Sequence, residues 1–504
     1  MGKRVPLTTS LGRRDESSVC LEASRTTSTH DSLHSLCVAP DGLLHCAAMA
    51  VSTHTFQAPK GTRDFYPHDL AVRRYIESVW REVSINHGFD EIDGPTFEHL
   101  DLYTIKSGPG IESELFSFRR AGGDTDYALR PEFTPTLARM YAAQAGSLPK
   151  PTKWFSIGPF FRAERPQRGR LREHVQLNLD FVGVPEHGME MRTADAQIIA
   201  VAVDVLATFG FGPDIVRIKL GQRKAVENAL AEFDVPIPIH QQVMTLLDDR
   251  LKIGVDEYRR RAKELKLPAD FVRKYDPLDR EIVRLDADLD DLPLDEEQRR
   301  SIEKKKETPG DLFYELAALG LSEWCEFDSM IIRGLAYYTD LVFEVYEATG
   351  KERAIAGGGR YDNLVELFGG PPTPACGFAM GDVVLRLVLE DHDLLKPAEQ
   401  YMPAPDVFVI TARDEEPQTN LTPLISELRQ AGLHVRHSYK ATRNVGKLMS
   451  EANKASARFA VILGKELDEG NVVLKDLRSG EQEDIARETL IEVLRTKLAA
   501  CEGG

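Results

Sequence analysis

Five arginines crowd into one short stretch of this chain, FRAERPQRGRLREHVQ, which begins at position 161. They are Arg162, Arg165, Arg168, Arg170 and Arg172. Guanidinium groups this close repel one another unless an anion lies among them, and they match phosphate oxygens through paired N–H donors. Glu164 stands between them, and a carboxylate beside phosphates can hold Mg²⁺. Alone, the stretch fits equally a polyphosphate site or an exposed basic loop paired with acidic surface residues.

Three further stretches have residue types that could complete such a site. They are ALRPEFTPTLAR, with Glu132 and Thr134; IIRGLAYYTDLVFE, with Arg333 before the pair Tyr337 and Tyr338; and AGGGRYDNL followed by ACGFAMGD. Taken one at a time, a turn, a core aromatic pair and a glycine bulge would explain them. The three consecutive glycines do not follow a dinucleotide-binding pattern.

Strands and helices must position these residues. KWFSIGPFFRAE (153–164) and HVQLNLDFVGV (174–184) are predicted strands joined by the arginine-rich segment, with a flexible loop at Gly169. The pattern predicts a helix over 69–86, a short strand and turn in GFDEIDGPTFEH, strands in LVFEVYE and ERAIAGGG, and a helix that GFAMGDVVLRLVLED begins. This arrangement predicts an α+β domain with a mostly antiparallel sheet.

Changes of composition divide the chain further. Residues 222–325 are predicted to form a charged helical insertion that packs outside the main sheet, and its acidic run LDADLDDLPLDEEQ is interpreted as a solvated face. The main α+β domain is expected to span 51–400. Strands alternating with helices over 405–504 predict a small α/β domain with a partly parallel sheet.

Bulk properties limit the function and location. The chain has 504 residues, 42% hydrophobic content and a formal net charge of -17, which argues against indiscriminate binding to nucleic acid or an anionic membrane. The six cysteines have neither disulfide-framework nor zinc-ligand spacing, and no apolar run is long enough to cross a bilayer. A cytoplasmic protein is therefore predicted. Residues 1–50 are a poor targeting signal, interpreted as a disordered extension or as translated sequence upstream of Met49.

Together the motifs resemble one family. GTRDFYP, LRPEFTPTLAR, FRAERPQRGRLREHVQLNLDFVG, RGLAYYTDLVFE, GGGRYDNL and GFAMGD, in this order, are similar to the histidyl-tRNA synthetases, which are class II aminoacyl-tRNA synthetases. The RGLxYYT segment is specific to these enzymes and their paralogues. The resemblance extends from about Phe56 to Lys497 and implies a class II catalytic domain followed by an anticodon-binding domain.

The resemblance also implies roles for individual residues. Arg162 and Arg333 would stabilise charge at the α-phosphate of ATP as the histidine carboxylate attacks it, so these two are the candidate catalytic residues. The candidate ATP-binding residues are Arg162, Glu164, Arg170 and Arg333. The candidate histidine-binding residues are Glu132, Thr134 and Gln176 at the α-amino end, Asp180 and Tyr338 at the ring nitrogens, and Tyr337 and Tyr361 around the pocket.

The resemblance further implies partners. Mg²⁺ would accompany ATP, although no protein ligand for a metal is assigned. A basic patch in the C-terminal domain suits a tRNA backbone, while a solvated helix face would explain it equally. Its residues are Arg436, Lys440, Arg443, Lys447, Lys454 and Arg458, with Glu451 among them. The 69–86 helix and the strand ending at Pro95 resemble the first class II motif, which implies a homodimer.

Two positions depart from the family pattern. Ala336 replaces an aspartate in the tyrosine segment, and Val384 replaces the arginine of the third class II motif, which contacts the γ-phosphate. Arg386 lies about 200° around the predicted helix and cannot take that arginine's place. Either another cation reaches the γ-phosphate, with Arg168, Arg170 and Arg172 as candidates, or ATP binding is weakened.

The alternatives to an aminoacylating enzyme are two. One is the regulatory subunit of ATP phosphoribosyltransferase, a paralogue that lacks the C-terminal domain and loses the arginine motifs. The other is a regulatory module that binds RNA or an amino acid without ATP chemistry, which only Val384 favours. Residues 405–497 and the presence of Arg162 and Arg333 favour the enzyme over the first alternative.

Overall fold

The structure is a computed structural model that describes residues 56–107, 109–183, 188–279, 282–284, 296, 300, 311–328, 331–333, 337–412 and 420–502. Residues 1–50, Ala336 and nearly all of the acidic run 285–298 lie outside the described residues, so the predictions made for them stay predictions. Among the helices that are described, none has the length and apolar character needed to span a membrane.

The α-helices are α1 (Pro67–Asn86), α2 (Asp101–Ser107), α3 (Thr134–Gln144), α4 (Gly188–Thr208), α5 (Arg223–Glu232), α6 (His240–Ile253), α7 (Val255–Glu264), α8 (Ala269–Lys274), α9 (Leu312–Ala318), α10 (Leu364–Leu367), α11 (Asp382–Asp391), α12 (Leu421–Gln430), α13 (Val445–Lys454) and α14 (Leu490–Glu502). The strands are β1 (Asp90–Glu91), β2 (Phe97–His99), β3 (Ser117–Arg119), β4 (Asp126–Leu129), β5 (Thr152–Phe161), β6 (Glu173–Val182), β7 (Val216–Gln222), β8 (Ile282–Arg284), β9 (Cys325–Asp328), β10 (Leu341–Glu347), β11 (Ala356–Arg360), β12 (Ala375–Gly381), β13 (Val407–Thr411), β14 (Val435–His437), β15 (Phe459–Leu463), β16 (Asn471–Asp476) and β17 (Gln482–Ala486).

A nine-stranded sheet, in the order β1-β5-β6-β12-β11-β10-β7-β9-β8, is formed by strands that lie between residues 90 and 381. Its neighbouring strands are antiparallel except for the parallel pairs β1–β5 and β7–β9, which confirms the prediction of a mostly antiparallel sheet. Helices α1 and α4 pack against this sheet. The apolar face of α1 buries Ile76, Val79 and Trp80, and each fully buried side chain of this kind contributes about 1.5–3 kcal/mol to stability.

Two local features differ from the sequence-based predictions. The residues GFAMG lie in a strand, β12, and the helix that follows begins at Asp382. The strand forms because β6 and β11 pair with it on both sides, which a local helical pattern does not reveal. Helices α5 to α8 of the 222–325 segment pack around their own apolar cluster. In contrast, α9 buries Leu312 and Leu316 in the main cluster, and β8 pairs with β9 and so extends the main sheet.

The C-terminal residues form a separate five-stranded sheet in the order β14-β13-β15-β16-β17. Strand β13 is parallel to both of its neighbours, whereas β15, β16 and β17 are antiparallel, so the predicted partly parallel sheet is confirmed. The helices packed on it bury leucines from α12 and from α14.

Candidate active site

The arginine-rich segment joins β5 and β6, which pair in continuous register from Thr152–Val182 to Phe161–Glu173. The carboxylates of the chain itself neutralise part of its charge. Arg170 forms an ion pair with Glu164, and Arg168 Nε lies 2.7 Å from Glu352 Oε1. This segment, residues 162–172, therefore forms a structured clasp between β5 and β6. Only some of its guanidinium groups face a neighbouring cleft.

That cleft has a volume of about 640 Å³ and lies over β6, β12, β11 and β10. Its cationic lining is formed by Arg162, Arg170, Lys219, Arg333 and Arg353. A concave site with several converging cations suits an anionic ligand that carries several charges, such as a nucleoside triphosphate.

Arg162 lies at the end of β5, and its main chain is fixed by a hydrogen bond from its N–H to the Arg172 carbonyl oxygen at 2.9 Å. Burial, followed by repulsion from Arg170, lowers the pKa of the Arg162 guanidinium. Because the protein neutralises this positive charge only in part, the site around Arg162 is preorganised to bind an anion.

Arg333 is held in a strained backbone conformation, with φ of 56°. A left-handed conformation at a non-glycine residue costs on the order of 1 kcal/mol or more and is maintained by surrounding contacts. Here Arg333 Nη1 lies 3.0 Å from Glu344 Oε1, and the Arg333 carbonyl oxygen accepts a hydrogen bond of 3.2 Å from Arg223. These contacts direct the guanidinium onto the floor of the cleft.

Glycines leave space at the floor of the cleft for neighbouring side chains. A Cβ atom on Gly357 would lie 1.5 Å from Arg333 Nη1, and one on Gly377 would lie 2.3 Å from Asp180 Oδ1. A Cβ on Gly359 would similarly meet the Tyr338 ring at 2.9 Å. Gly357, Gly359 and Gly377 are therefore explained by the close approach of neighbouring atoms, and not by a nucleotide-binding loop.

A compact aromatic pocket adjoins the arginines. The Tyr337 ring lies 4.6 Å from that of Tyr338 and 5.8 Å from that of Tyr361, measured between centroids, and the Arg333 guanidinium lies 5.7 Å from the Tyr338 ring centroid. Tyr338 and Tyr361 are almost fully buried. The aromatic pocket and the arginine-lined cleft are thus connected through Arg333.

Asp180 lies at the base of the aromatic pocket and is buried. Its Oδ1 accepts a hydrogen bond from the Tyr361 hydroxyl, while Oδ2 has no hydrogen-bond partner among the described residues. Burial raises the pKa of Asp180 to about 7. A buried carboxylate oxygen of this kind is suited to accept a hydrogen bond from an imidazole N–H.

Two of the three residues expected at the amino end of histidine lie at this site. Glu132 Oε2 accepts a hydrogen bond of 3.2 Å from the Tyr337 hydroxyl. Thr134 is the first residue of α3, and Gln176 is a buried residue of β6 that lines the cleft. The structure therefore brings Glu132 and Gln176 to the same site from different elements.

Several lining residues were missed by sequence analysis, among them His174, Glu344 and Arg353. Burial, with a further contribution from Arg162, lowers the pKa of His174 to about 3, so its imidazole is neutral near pH 7. His174 belongs to the quoted arginine stretch and could have been considered. Arg353 and Glu344 reach the cleft only through sheet pairing, which no local pattern indicates.

The GTRDFYP segment contacts both the arginine-rich segment and the third class II motif. Asp382 Oδ2 accepts a hydrogen bond of 2.7 Å from Arg63, and Asp382 Oδ1 accepts one of 2.9 Å from the Val175 N–H. Gly61 accepts a hydrogen bond of 2.8 Å from the Arg172 N–H. The GTRDFYP motif therefore fastens the arginine clasp to the start of α11.

No cluster of three or more histidine, cysteine, aspartate or glutamate side chains suited to a metal ion occurs in the described part of the chain. Glu164, the carboxylate that the sequence places beside the phosphates, is paired with Arg170.

Comparisons with known proteins agree with this geometry. Residues 61–382 match the family model described as histidyl-tRNA synthetase, and residues 406–497 match an anticodon-binding domain. The chain is 38% identical to the histidine–tRNA ligase of Opitutus terrae over 446 residues, which cover 88% of this chain and 98% of the relative. It is 36% identical to the chloroplastic/mitochondrial histidine–tRNA ligase of Arabidopsis thaliana over 84% of each chain.

The fold is similar as well. The crystal structure of histidyl-tRNA synthetase from Nostoc matches with a TM-score of 0.65 at 24% identity, covering 88% of this chain and all of the other. The α+β class II architecture with a C-terminal anticodon-binding domain is confirmed. The chain belongs to the histidyl-tRNA synthetase family, a family of aminoacyl-tRNA ligases.

Proposed function

We propose that this chain activates L-histidine with ATP, forming histidyl-adenylate and pyrophosphate, and then transfers histidine to the 3′ end of its tRNA. The observation that carries the proposal is the connection between two sites. A cleft with several guanidinium groups adjoins an aromatic pocket with a buried carboxylate, and Arg333 contacts both.

In the first step, a carboxylate oxygen of histidine bonds to the α-phosphorus as the bond to the departing pyrophosphate breaks. The substrate supplies the nucleophile, so the protein needs cations more than a base. Arg162 and Arg333 are the residues assigned to the α-phosphate, because both line the cleft next to the aromatic pocket. Arg170 and Glu164 lie further along the clasp and would contact the rest of the nucleotide.

The aromatic pocket would select histidine by its two ring nitrogens. The free Oδ2 of Asp180 would accept a hydrogen bond from one N–H, and the Tyr338 hydroxyl would bond the other nitrogen. Tyr361 and Tyr337 would enclose the ring, and Glu132, Thr134 and Gln176 would hold the ammonium end. An amino acid that leaves these buried polar groups unpaired would be rejected.

Mg²⁺ would bind with ATP, since it prefers substrate phosphates together with one or two carboxylates. The carboxylate of Glu164 fits this part because it stands beside the phosphate-facing guanidinium of Arg170. The same position would also allow a contact with the adenine.

The second step needs tRNA, which the C-terminal domain would bind through its basic patch. Arg436, Lys440 and Lys447 are exposed there, and Tyr439 beside them is 88% exposed, as suits base stacking. Arg458 contributes less to the patch because its guanidinium lies 2.8 Å from Asp476.

We also propose a cytoplasmic homodimer. The support for the dimer is an exposed aromatic surface close to the predicted dimer motif, where Phe97 is 48% and Phe118 is 42% exposed and the two ring centroids lie 5.6 Å apart. Exposed clustered aromatic groups are typical of interfaces. A stable and active monomer in light scattering would contradict this assembly.

Charging of tRNA tests the whole reaction. Purified protein incubated with ATP, Mg²⁺ and total tRNA should attach labelled histidine, and no other amino acid, to tRNA through an ester bond that mild base cleaves. Transfer of a different amino acid would contradict the proposed pocket. Adenylation of histidine without transfer to any tRNA would contradict the second step alone.

A further inference from the structure

The third-motif position has no cation in this chain. Val384 lies in the first turn of α11, is 7% exposed and packs in the main apolar cluster while bordering the cleft. The nearest arginine along the helix, Arg386, points elsewhere, because it lies 3.1 Å from Asp69 and 2.8 Å from Glu390. The outer end of the cleft therefore needs a cation from another element.

The arginines of the clasp are occupied by other partners. Arg168 lies 2.7 Å from Glu352 and 3.7 Å from Asp391, and Arg170 pairs with Glu164. Arg172 donates to the Glu164 carbonyl oxygen at 3.2 Å and does not line the cleft. None of the three offers an unpaired guanidinium at the position that Val384 leaves uncharged.

Arg353, in the connection between β10 and β11, differs from them. It lines the cleft, and in the described part of the chain its guanidinium makes neither a hydrogen bond nor an ion pair. Its Cδ lies 3.6 Å from the point that a Cβ on Gly169 would occupy, and Val384 Cγ2 lies 3.3 Å from the same point. Arg353 and Val384 therefore border one small space beside the clasp.

Arg353 is close enough to the other arginines of the cleft for their charges to interact. Arg162 is repelled by both Arg333 and Arg170, and Arg170 in turn repels Arg353. Burial, followed by this repulsion from Arg170, lowers the pKa of Arg353. The four guanidinium groups that line this one cleft, those of Arg333, Arg162, Arg170 and Arg353, match the several charges of a polyphosphate better than a single phosphate.

We propose that Arg353 binds the terminal phosphate of ATP and supplies the positive charge that position 384 lacks. This inference rests on the proposed function, since it takes ATP as the ligand of the cleft. The α-phosphate would then lie at the Arg333 and Arg162 end, next to the aromatic pocket. The β- and γ-phosphates would extend toward Arg170 and Arg353.

Equilibrium binding separates this role from a general effect on the cleft. Arg353→Ala should weaken ATP binding in calorimetry by about 10- to 100-fold, the range for hydrogen bonds to a charged group, while AMP binding changes less than about twofold. Lys351→Ala is the matched control, because Lys351 lies in the same connection but pairs with Asp391 at 2.6 Å. It should leave both affinities unchanged.

Kinetics provide the second readout. In histidine-dependent ATP–pyrophosphate exchange, Arg353→Ala should raise the KM for ATP by a similar factor and leave the KM for histidine unchanged. Adding Val384→Arg to Arg353→Ala should recover ATP affinity, because the two side chains border the same space.

Two results would overturn the inference: unchanged ATP affinity in Arg353→Ala, or an equal loss of ATP and AMP affinity. Wild-type protein without histidine-dependent exchange would instead contradict the proposed function. The comparison of ATP with AMP binding would still decide the role of Arg353.

Discussion

Replacing Gly357 by alanine tests whether the space that this glycine leaves for Arg333 is needed for catalysis. The new Cβ would lie 1.5 Å from Arg333 Nη1 and 2.6 Å from its Cζ, whereas real Cβ atoms essentially never approach a neighbour closer than 3.0 Å. The guanidinium must therefore retreat by about 1.5 Å, the difference between the first and last of these distances. Gly357 lies in β11 without a positive φ, so alanine is compatible with its backbone.

The expected loss follows from that displacement. A misplacement of 1 Å at a reacting centre costs about 100-fold, and loss of one preorganised donor costs about 3–4 kcal/mol. The rate of histidyl-adenylate formation in Gly357→Ala should therefore fall by about 10²- to 10³-fold. Histidine affinity should change little, because the residues assigned to its ring and ammonium group lie on other strands and loops.

Single-turnover formation of the adenylate in a rapid-quench experiment measures this effect directly. Gly146→Ala is the control, since a Cβ there would meet no atom within 4 Å. A displaced catalytic group should cost far more than about threefold in rate. If Gly357→Ala keeps its fold and forms the adenylate within about threefold of the wild-type rate, Arg333 does not act on the reacting phosphate.

Three further predictions concern Arg333, Asp180 and the basic patch of the C-terminal domain. Arg333→Ala should lower adenylate formation by orders of magnitude and leave histidine binding largely intact; equal loss of both in titration would refute its role. The pKa of Asp180 is about 7 in the folded protein against the ordinary aspartate value of 3.8, so its contribution to stability is full below pH 4 and is lost as pH rises to 7. The advantage of Asp180→Asn over wild type in the free energy of urea unfolding should therefore grow by about 4 kcal/mol across that range, and a constant difference would contradict the burial of the charge. Charge reversal at Arg436 and Lys447 together should weaken tRNA binding and reduce its salt dependence by about one unit of slope per lost phosphate contact, with amino-acid activation unchanged.

The central hairpin could be predicted from sequence because its signals are local. Alternating apolar residues and a Gly- and Pro-containing turn define β5 and β6, and the structure places both within two or three residues of the predicted bounds. Strands β13 to β16 and helices α12 and α13 of the C-terminal domain were predicted for the same reason, whereas α14 was not. Strand β17 was not, since four of its five residues are exposed and leave no apolar alternation.

Long-range contacts explain what the sequence could not provide. The glycine-rich stretch was weak evidence on its own because its purpose, to admit Arg333 and Tyr338, depends on residues from other strands. Likewise, Arg353 lies in an ordinary charged turn and reaches the cleft only when β10 and β11 pair. The resemblance to a family indicated the chemistry. The pairing of β10 with β11 showed that Arg353 lies beside Val384.

The central claim is that one cleft joins histidine to ATP. ATP–pyrophosphate exchange with purified protein, Mg²⁺ and each of the twenty amino acids in turn tests it most directly. Exchange that depends on histidine alone is the predicted result. No exchange with any amino acid, from a folded protein that still binds histidine, would contradict the claim and indicate a regulatory paralogue.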